Sequence, residues 1–156
     1  MDKKEQTACF TGHRKFNIIE YIKIKIKLNK EIKELINKGV KYFGCGGAIG
    51  FDILAGMTII KLKRKYKDIF LILVLPCRNQ DLYWNKRQKK RYKFLLENAD
   101  KITYESVCYN KDCIFARNRH LVEHSKYCIC YLRNEVSGTG YTVKYAKSKN
   151  LKIIYI

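Results

Sequence analysis

In VKYFGCGGAIGFD, Val40–Asp52, a short apolar run gives way to four glycines within seven positions and then to a helical pattern. A strand that turns through glycine into a helix is the repeating unit of a parallel α/β sheet. The same alternation fills the chain. Apolar runs at TACF (7–10), VKYFG (40–44), IFLILVLP (69–76), KITYE (101–105), YCICYL (127–132) and LKIIYI (151–156) are separated by segments of helical length, at about 17–38, 51–66, 82–98, 113–125 and 140–149. Several runs are continuously apolar, as in strands covered on both faces. The expected fold is a doubly wound α/β domain over residues 1–156, with a mainly parallel six-stranded sheet and about five helices.

One segment invites the opposite reading. YIKIKIKL, Tyr21–Leu28, alternates like a half-exposed strand. At 100° per residue, however, Ile18, Ile22, Leu28, Ile32, Leu35 and Ile36 share one broad arc, with Lys23, Lys27, Lys30 and Glu34 opposite. This predicts a helix, ending where Gly39 suits a left-handed cap.

Composition narrows the class. The 156 residues are 47% hydrophobic, enough for one full core. No run approaches 18 apolar residues, which excludes a helical membrane span. The opening MDKKEQTACF lacks the apolar core of a secretion signal, so a cytoplasmic location is expected. The seven cysteines form no CxxC pair and read as apolar fillers or unreactive thiols. Lys and Arg outnumber Asp and Glu by 33 to 14, a net charge of +19 that favours anionic ligands around any cleft. The lysines are spread along helix faces and not gathered in one stripe, so nucleic acid is a weaker expectation than a small anion.

In open parallel sheets, ligands bind beyond the carboxyl ends of the strands. The Gly-, Arg-, Asn-, Ser- and Thr-rich loops fall there. Strand one ends in Thr11, Gly12, His13 and Arg14; strand two in Gly46, Gly47, Ala48, Gly50 and Asp52; strand five leads to Ser137, Gly138, Thr139, Gly140 and Thr142. Arg117 and Asn118 lie on the intervening helix. Glycines 44, 46, 47 and 50 are expected to let a ligand reach the backbone. The helix that follows offers unpaired N–H groups and the positive end of its dipole to an anion. Arg14 adds a guanidinium able to bind phosphate bidentately. Asp52 either accepts from a ribose hydroxyl or caps its own helix. His13 either meets the ligand or closes the turn.

Three familiar patterns fail. GCGGAIG lacks the Lys-Ser/Thr of a phosphate-binding P-loop, and it is neither spaced nor placed as the dinucleotide fingerprint. HLVEH, His120–His124, matches the HxxEH of inverted zinc peptidases, but it falls inside an α/β repeat with no obvious third ligand downstream. No metal and no cofactor is expected.

Taken in order, TGHR, GGAIGFDILAG, PCRNQDLYW, ARNRHLVEHS and SGTGYTVKYAKSKNLKIIYI resemble the YpsA/YoqJ-type branch of the SLOG superfamily, whose wider relatives include DprA and the LOG phosphoribohydrolases. The resemblance covers nearly the whole chain. It implies a Rossmann-like domain that binds nucleotides or molecules derived from them. It also implies a homo-oligomer, an origin on phages or other mobile elements, and kinship with anti-phage domains that read ADP-ribose-type signals. LOG enzymes carry a catalytic glutamate in PGGxGTxxE; here the stretch is SGTGYTVK, and Lys144 stands in that place. No catalytic residue is therefore assigned.

The expected function is non-catalytic capture of a phosphorylated nucleotide derivative, as a sensor or a sequestering protein. Two alternatives stay open. One is N-glycosidic hydrolysis, with Glu123 as the substitute carboxylate. The other is DprA-like binding of single-stranded DNA, with Tyr83, Trp84 and Tyr92 as stacking platforms.

Overall fold

The computed structural model describes residues 2–156. After a 3₁₀ turn at Lys3–Gln6, six strands and five helices alternate: β1 (Thr7–Gly12), α1 (Ile18–Asn37), β2 (Tyr42–Cys45), α2 (Phe51–Leu62), β3 (Phe70–Cys77), α3 (Lys86–Asn98), β4 (Lys101–Ser106), α4 (Cys113–Glu123), β5 (Tyr127–Tyr131), α5 (Gly138–Ser148) and β6 (Lys152–Tyr155). The strands form one sheet in the order β4-β3-β2-β1-β5-β6, and every pairing is parallel. This is a doubly wound, Rossmann-like architecture.

The side chains of each strand separate into two cores. Phe10, Phe43, Leu71, Leu73, Leu75 and Ile129 pack under α1, α2 and α3. Cys9, Val74, Cys128 and Cys130 pack under α4 and α5. Cys128 and Cys130 thus share a face, as their spacing predicts. No cysteine is disulfide-bonded among the described residues. No described helix is long and apolar enough to cross a membrane.

The alternating YIKIKIKL segment is helical. Its buried stripe is Ile24, Leu28, Ile32 and Leu35, at spacings of four, four and three. The broader arc read from sequence is corrected at its first turns, because Ile18 and Ile22 are exposed. Gly39, at φ +94°, ends the helix, and Val40 N–H reaches back to the Leu35 carbonyl in a Schellman closure. α3 starts at Lys86 and not near 82. Asn85 and Gln88 cap one another's backbone there, which leaves residues 78–84 as a loop.

Topology places the site. From β1 the chain winds outward through β2 and β3 to β4, then returns to β5 on the other side of β1. The helices that follow β1 and β5 leave on opposite faces, and a crevice opens between those strands' carboxyl ends.

Candidate functional site

A cavity of about 210 Å³ occupies this crevice. β1 contributes Thr11 and Gly12, followed by His13 and Arg14. The β2–α2 turn contributes Ala48 and Asp52, α4 contributes Arg117 and Asn118, and the start of α5 contributes Ser137, Gly138 and Thr139. Residues that are distant in sequence are therefore gathered in one place.

The remaining glycines take other roles. Gly46 and Gly47 lie behind the cavity wall, and Ala48 is the part of their turn that reaches it. A side chain at Gly46 would strike the Arg117 guanidinium, and one at Gly47 would strike Leu75. Gly50, at φ +85°, packs directly on the Arg14 backbone and lines an adjoining cavity. Gly44 is a strand residue under Leu121, and Gly140 fits against the Glu135 carbonyl. Thr142 is buried, and its hydroxyl donates to the Gly138 carbonyl. At Gly44, Gly46, Gly47 and Gly50 the direction a side chain would take is occupied by the protein itself, so packing already accounts for a glycine at each. Gly138 is different: a side chain there would meet nothing within 4 Å.

Gly138 opens the first turn of α5. Ser137 caps it, its Oγ accepting from Gly140 N–H at 3.0 Å. The N–H groups of Gly138 and Thr139 belong to the first turn, which has no intrahelical acceptor, so they are available to an anion.

Arg117 is 4% exposed, and its charge is held by the fold. Its Nη1 donates to the Gly46 carbonyl at 2.6 Å, and its Nε donates to Asn118 Oδ1 at 2.7 Å. Burial lowers its pKa, and the nearby Asp52 charge opposes that shift. Asp52 is equally buried. Burial raises its pKa, while Arg117, the Ala48 N–H and Arg14 pull it down. Asp52 Oδ2 accepts from Ala48 N–H at 3.3 Å, bracing the turn ahead of α2, whose N-cap is Gly50 with no side-chain bond.

His13 closes a turn. Its Nε2 accepts from Arg133 N–H at 2.7 Å and from Asn134 N–H at 3.2 Å. A nitrogen that accepts two N–H bonds carries no proton, so the neutral ring holds its proton on Nδ1. Burial, followed by the Arg133 charge, lowers the His13 pKa. Arg14 itself is exposed and lines three adjoining cavities.

The residues weighed for hydrolysis lie elsewhere. Glu123 accepts from the Tyr145 hydroxyl and lines a separate cavity with residues that open β1, β2 and β4. Lys144 is exposed and is absent from the crevice wall. In HLVEH, His120 Nδ1 lies 2.6 Å from Glu105 Oε1, and the His120 and His124 rings are 4.4 Å apart. Among the described residues no three His, Cys, Asp or Glu side chains gather as metal ligands.

Two wall residues were not foreseen, Phe10 and Ile114. Ile114 is one helical turn before Arg117, a spacing that could have flagged it.

The profile of the YpsA family, described as the YspA SLOG family, matches residues 8–155. The chain belongs to this family. The SPbeta prophage-derived protein YoqJ of Bacillus subtilis is 34% identical over 143 residues, covering 83% of this chain and 84% of that one. A UPF0398 protein of Halalkalibacterium halodurans is 28% identical over 133 residues, covering 81% and 68%. Among solved structures, DNA processing protein A (DprA) of Helicobacter pylori, described for its single-stranded DNA binding mode, superposes with a TM-score of 0.69 at 20% identity. The Streptococcus pneumoniae DprA gives 0.70 at 16%. These two superpositions cover 97% and 98% of this chain but only 65% and 50% of the DprA chains. The likeness to DprA is one of fold, and the chain spans only part of the length of those proteins.

Proposed function

We propose that this YpsA-family chain binds a phosphorylated, nucleotide-derived small molecule in the crevice between β1 and β5, and holds it without cleaving it. The observation that carries this reading is the convergence of Arg14, Arg117, Asn118 and the N-terminal turn of α5, with its Gly138 and Thr139 N–H groups, on one cavity. Two guanidinium groups and a helix N-terminus favour a phosphate or pyrophosphate. Asp52, with one oxygen committed to Ala48, offers the other to a ribose hydroxyl. Glycosidic hydrolysis requires a carboxylate poised as acid or nucleophile. Glu123 lines a different cavity, and Asp52 is the one carboxylate on the crevice wall. The role in the cell is then sensing or sequestration, consistent with a prophage-derived relative. A homo-oligomer, as the SLOG resemblance implies, is part of this proposal.

Calorimetry with ADP-ribose, cyclic ADP-ribose variants and cyclic dinucleotides tests it. At least one should bind, and Arg14→Ala should weaken that binding about tenfold or more, the loss of a charge-assisted bidentate contact. Absence of binding across the panel would sink the reading.

A second reading, single-stranded DNA, draws on the net charge of +19 and the DprA-like fold. Of its expected stacking platforms Tyr92 is removed, being 2% exposed in the core. Steep salt dependence of oligonucleotide binding would favour this reading.

A further inference from the structure

Beside the anion crevice lies a second cavity, of about 340 Å³, between the loops that follow β3 and β4. Arg14 and Ile114 line both, so the two are contiguous through shared walls. The chemistry of the second differs. Tyr83 and Trp84 come from one loop and Tyr109 from the other. Tyr83 is 94% exposed and Tyr109 64%, which leaves large ring faces in water beside an open cavity. Covering such faces is favourable, and a flat aromatic ring covers them best. Trp84 is fixed by contrast: it packs edge-on at 5.1 Å against the buried Tyr92, immediately before the Asn85–Gln88 cap of α3.

A polar observation points the same way. Gln80 lines this cavity, and its amide orientation is set because Nε2 donates to the Tyr92 hydroxyl at 3.2 Å and reaches the Gly46 carbonyl at 3.5 Å. Its Oε1 is buried and accepts from nothing. A buried acceptor without a donor is costly, and an incoming N–H would satisfy it.

We propose that this cavity is the base subsite of the same ligand, an inference that rests on the nucleotide reading above. A nucleobase bearing an N–H donor stacks on Tyr83 and Tyr109, and a small shift of the Gln80 side chain opens Oε1 to that donor. Arg14, at the junction, then meets the phosphates as they enter the crevice. The class of ligand is a nucleoside phosphate, and not a sugar phosphate or inorganic anion.

Trp84 is the only tryptophan of the chain, so its fluorescence reports on this cavity alone. The titrants are ADP-ribose, ribose 5-phosphate, pyrophosphate and a short oligothymidylate. ADP-ribose should quench Trp84 and bind about tenfold or more tightly than the two ligands without a base. The exposed pair Tyr83→Ala/Tyr109→Ala should weaken ADP-ribose roughly five- to hundredfold, the range of base–aromatic stacking, and leave pyrophosphate unchanged as a control for folding. Equal affinity for ADP-ribose and pyrophosphate, with the tyrosine pair silent, overturns the base subsite and spares the anion site. No binding by any of the four titrants overturns both. Tighter binding of the oligonucleotide, still sensitive to the tyrosine pair, upholds the base subsite and identifies a strand as its source.

Discussion

Arg117 Nη1 donates to the carbonyl oxygen of Gly46 at 2.6 Å, a bond between residues 71 apart in sequence that joins α4 to the β2–α2 turn. The guanidinium is buried with the Gly46 carbonyl and Asn118 Oδ1 as its hydrogen-bond partners, and the charge of Asp52, which is buried too, favours its ionised form. Removing the donor of such a bond leaves a buried acceptor unsatisfied, typically at a cost of about 1–3 kcal/mol. Arg117→Ala should therefore destabilise the fold by about that amount in urea denaturation. Adding Asp52→Asn should recover part of the loss. A double variant no more stable than Arg117→Ala would show that the two charges are not coupled.

Gly46 is the counterpart of that bond. A methyl group there would collide with the Arg117 side chain. Gly46→Ala should cost about 1–3 kcal/mol, the usual penalty for overfilling a packed site. Because the guanidinium must move, ligand affinity should fall along with the melting temperature. Gly138→Ala is the control: nothing lies within 4 Å of its added methyl, so stability should change by less than about 0.5 kcal/mol.

His13 gives the protein a response to acid. Its folded pKa is lowered from the ordinary 6.5, so below that value the unfolded chain binds more protons than the folded one. Stability from this residue is fully present above pH 6.5 and is lost as the pH falls through the lower folded pKa. Protonating Nε2 also breaks both bonds to Arg133 and Asn134. Acid should therefore loosen the β5–α5 loop. The amide signals of residues 133 and 134 should shift with the His13 titration in NMR. In His13→Ala the loop should be loose at every pH, and the pH dependence of melting between 5 and 7 should flatten.

These dependencies explain which parts of the molecule could be read from sequence. The strands were legible because IFLILVLP and YCICYL are buried on both sides and need no partner to declare themselves. The rim was legible because chain direction in a parallel sheet sends every βα loop to one end. The job of each glycine was not. Gly46 and Gly138 look alike in a string of letters, yet one yields to an arginine 71 positions away and the other faces open space. The mistaken arc on α1 has a similar origin, since periodicity gives the relative angles of residues but not which direction the sheet occupies. Ile18 and Ile22, at the first turns of α1, remain exposed.

Glu123 provides the last test, because it separates holding a nucleotide from cleaving one. Its carboxylate is engaged by the Tyr145 hydroxyl in a cavity at the opposite end of the strands from Arg14. Glu123→Ala should therefore leave nucleotide affinity unchanged, while Arg14→Ala weakens it. Prolonged incubation of wild-type protein with AMP should release no free adenine above the buffer control by chromatography. Adenine release that disappears in Glu123→Ala would mean that α4 turns toward the crevice when ligand binds, and the chain would have to be reclassified as a hydrolase. Release that survives in Glu123→Ala but disappears in Asp52→Asn would instead make Asp52, the carboxylate already on the crevice wall, the catalytic group.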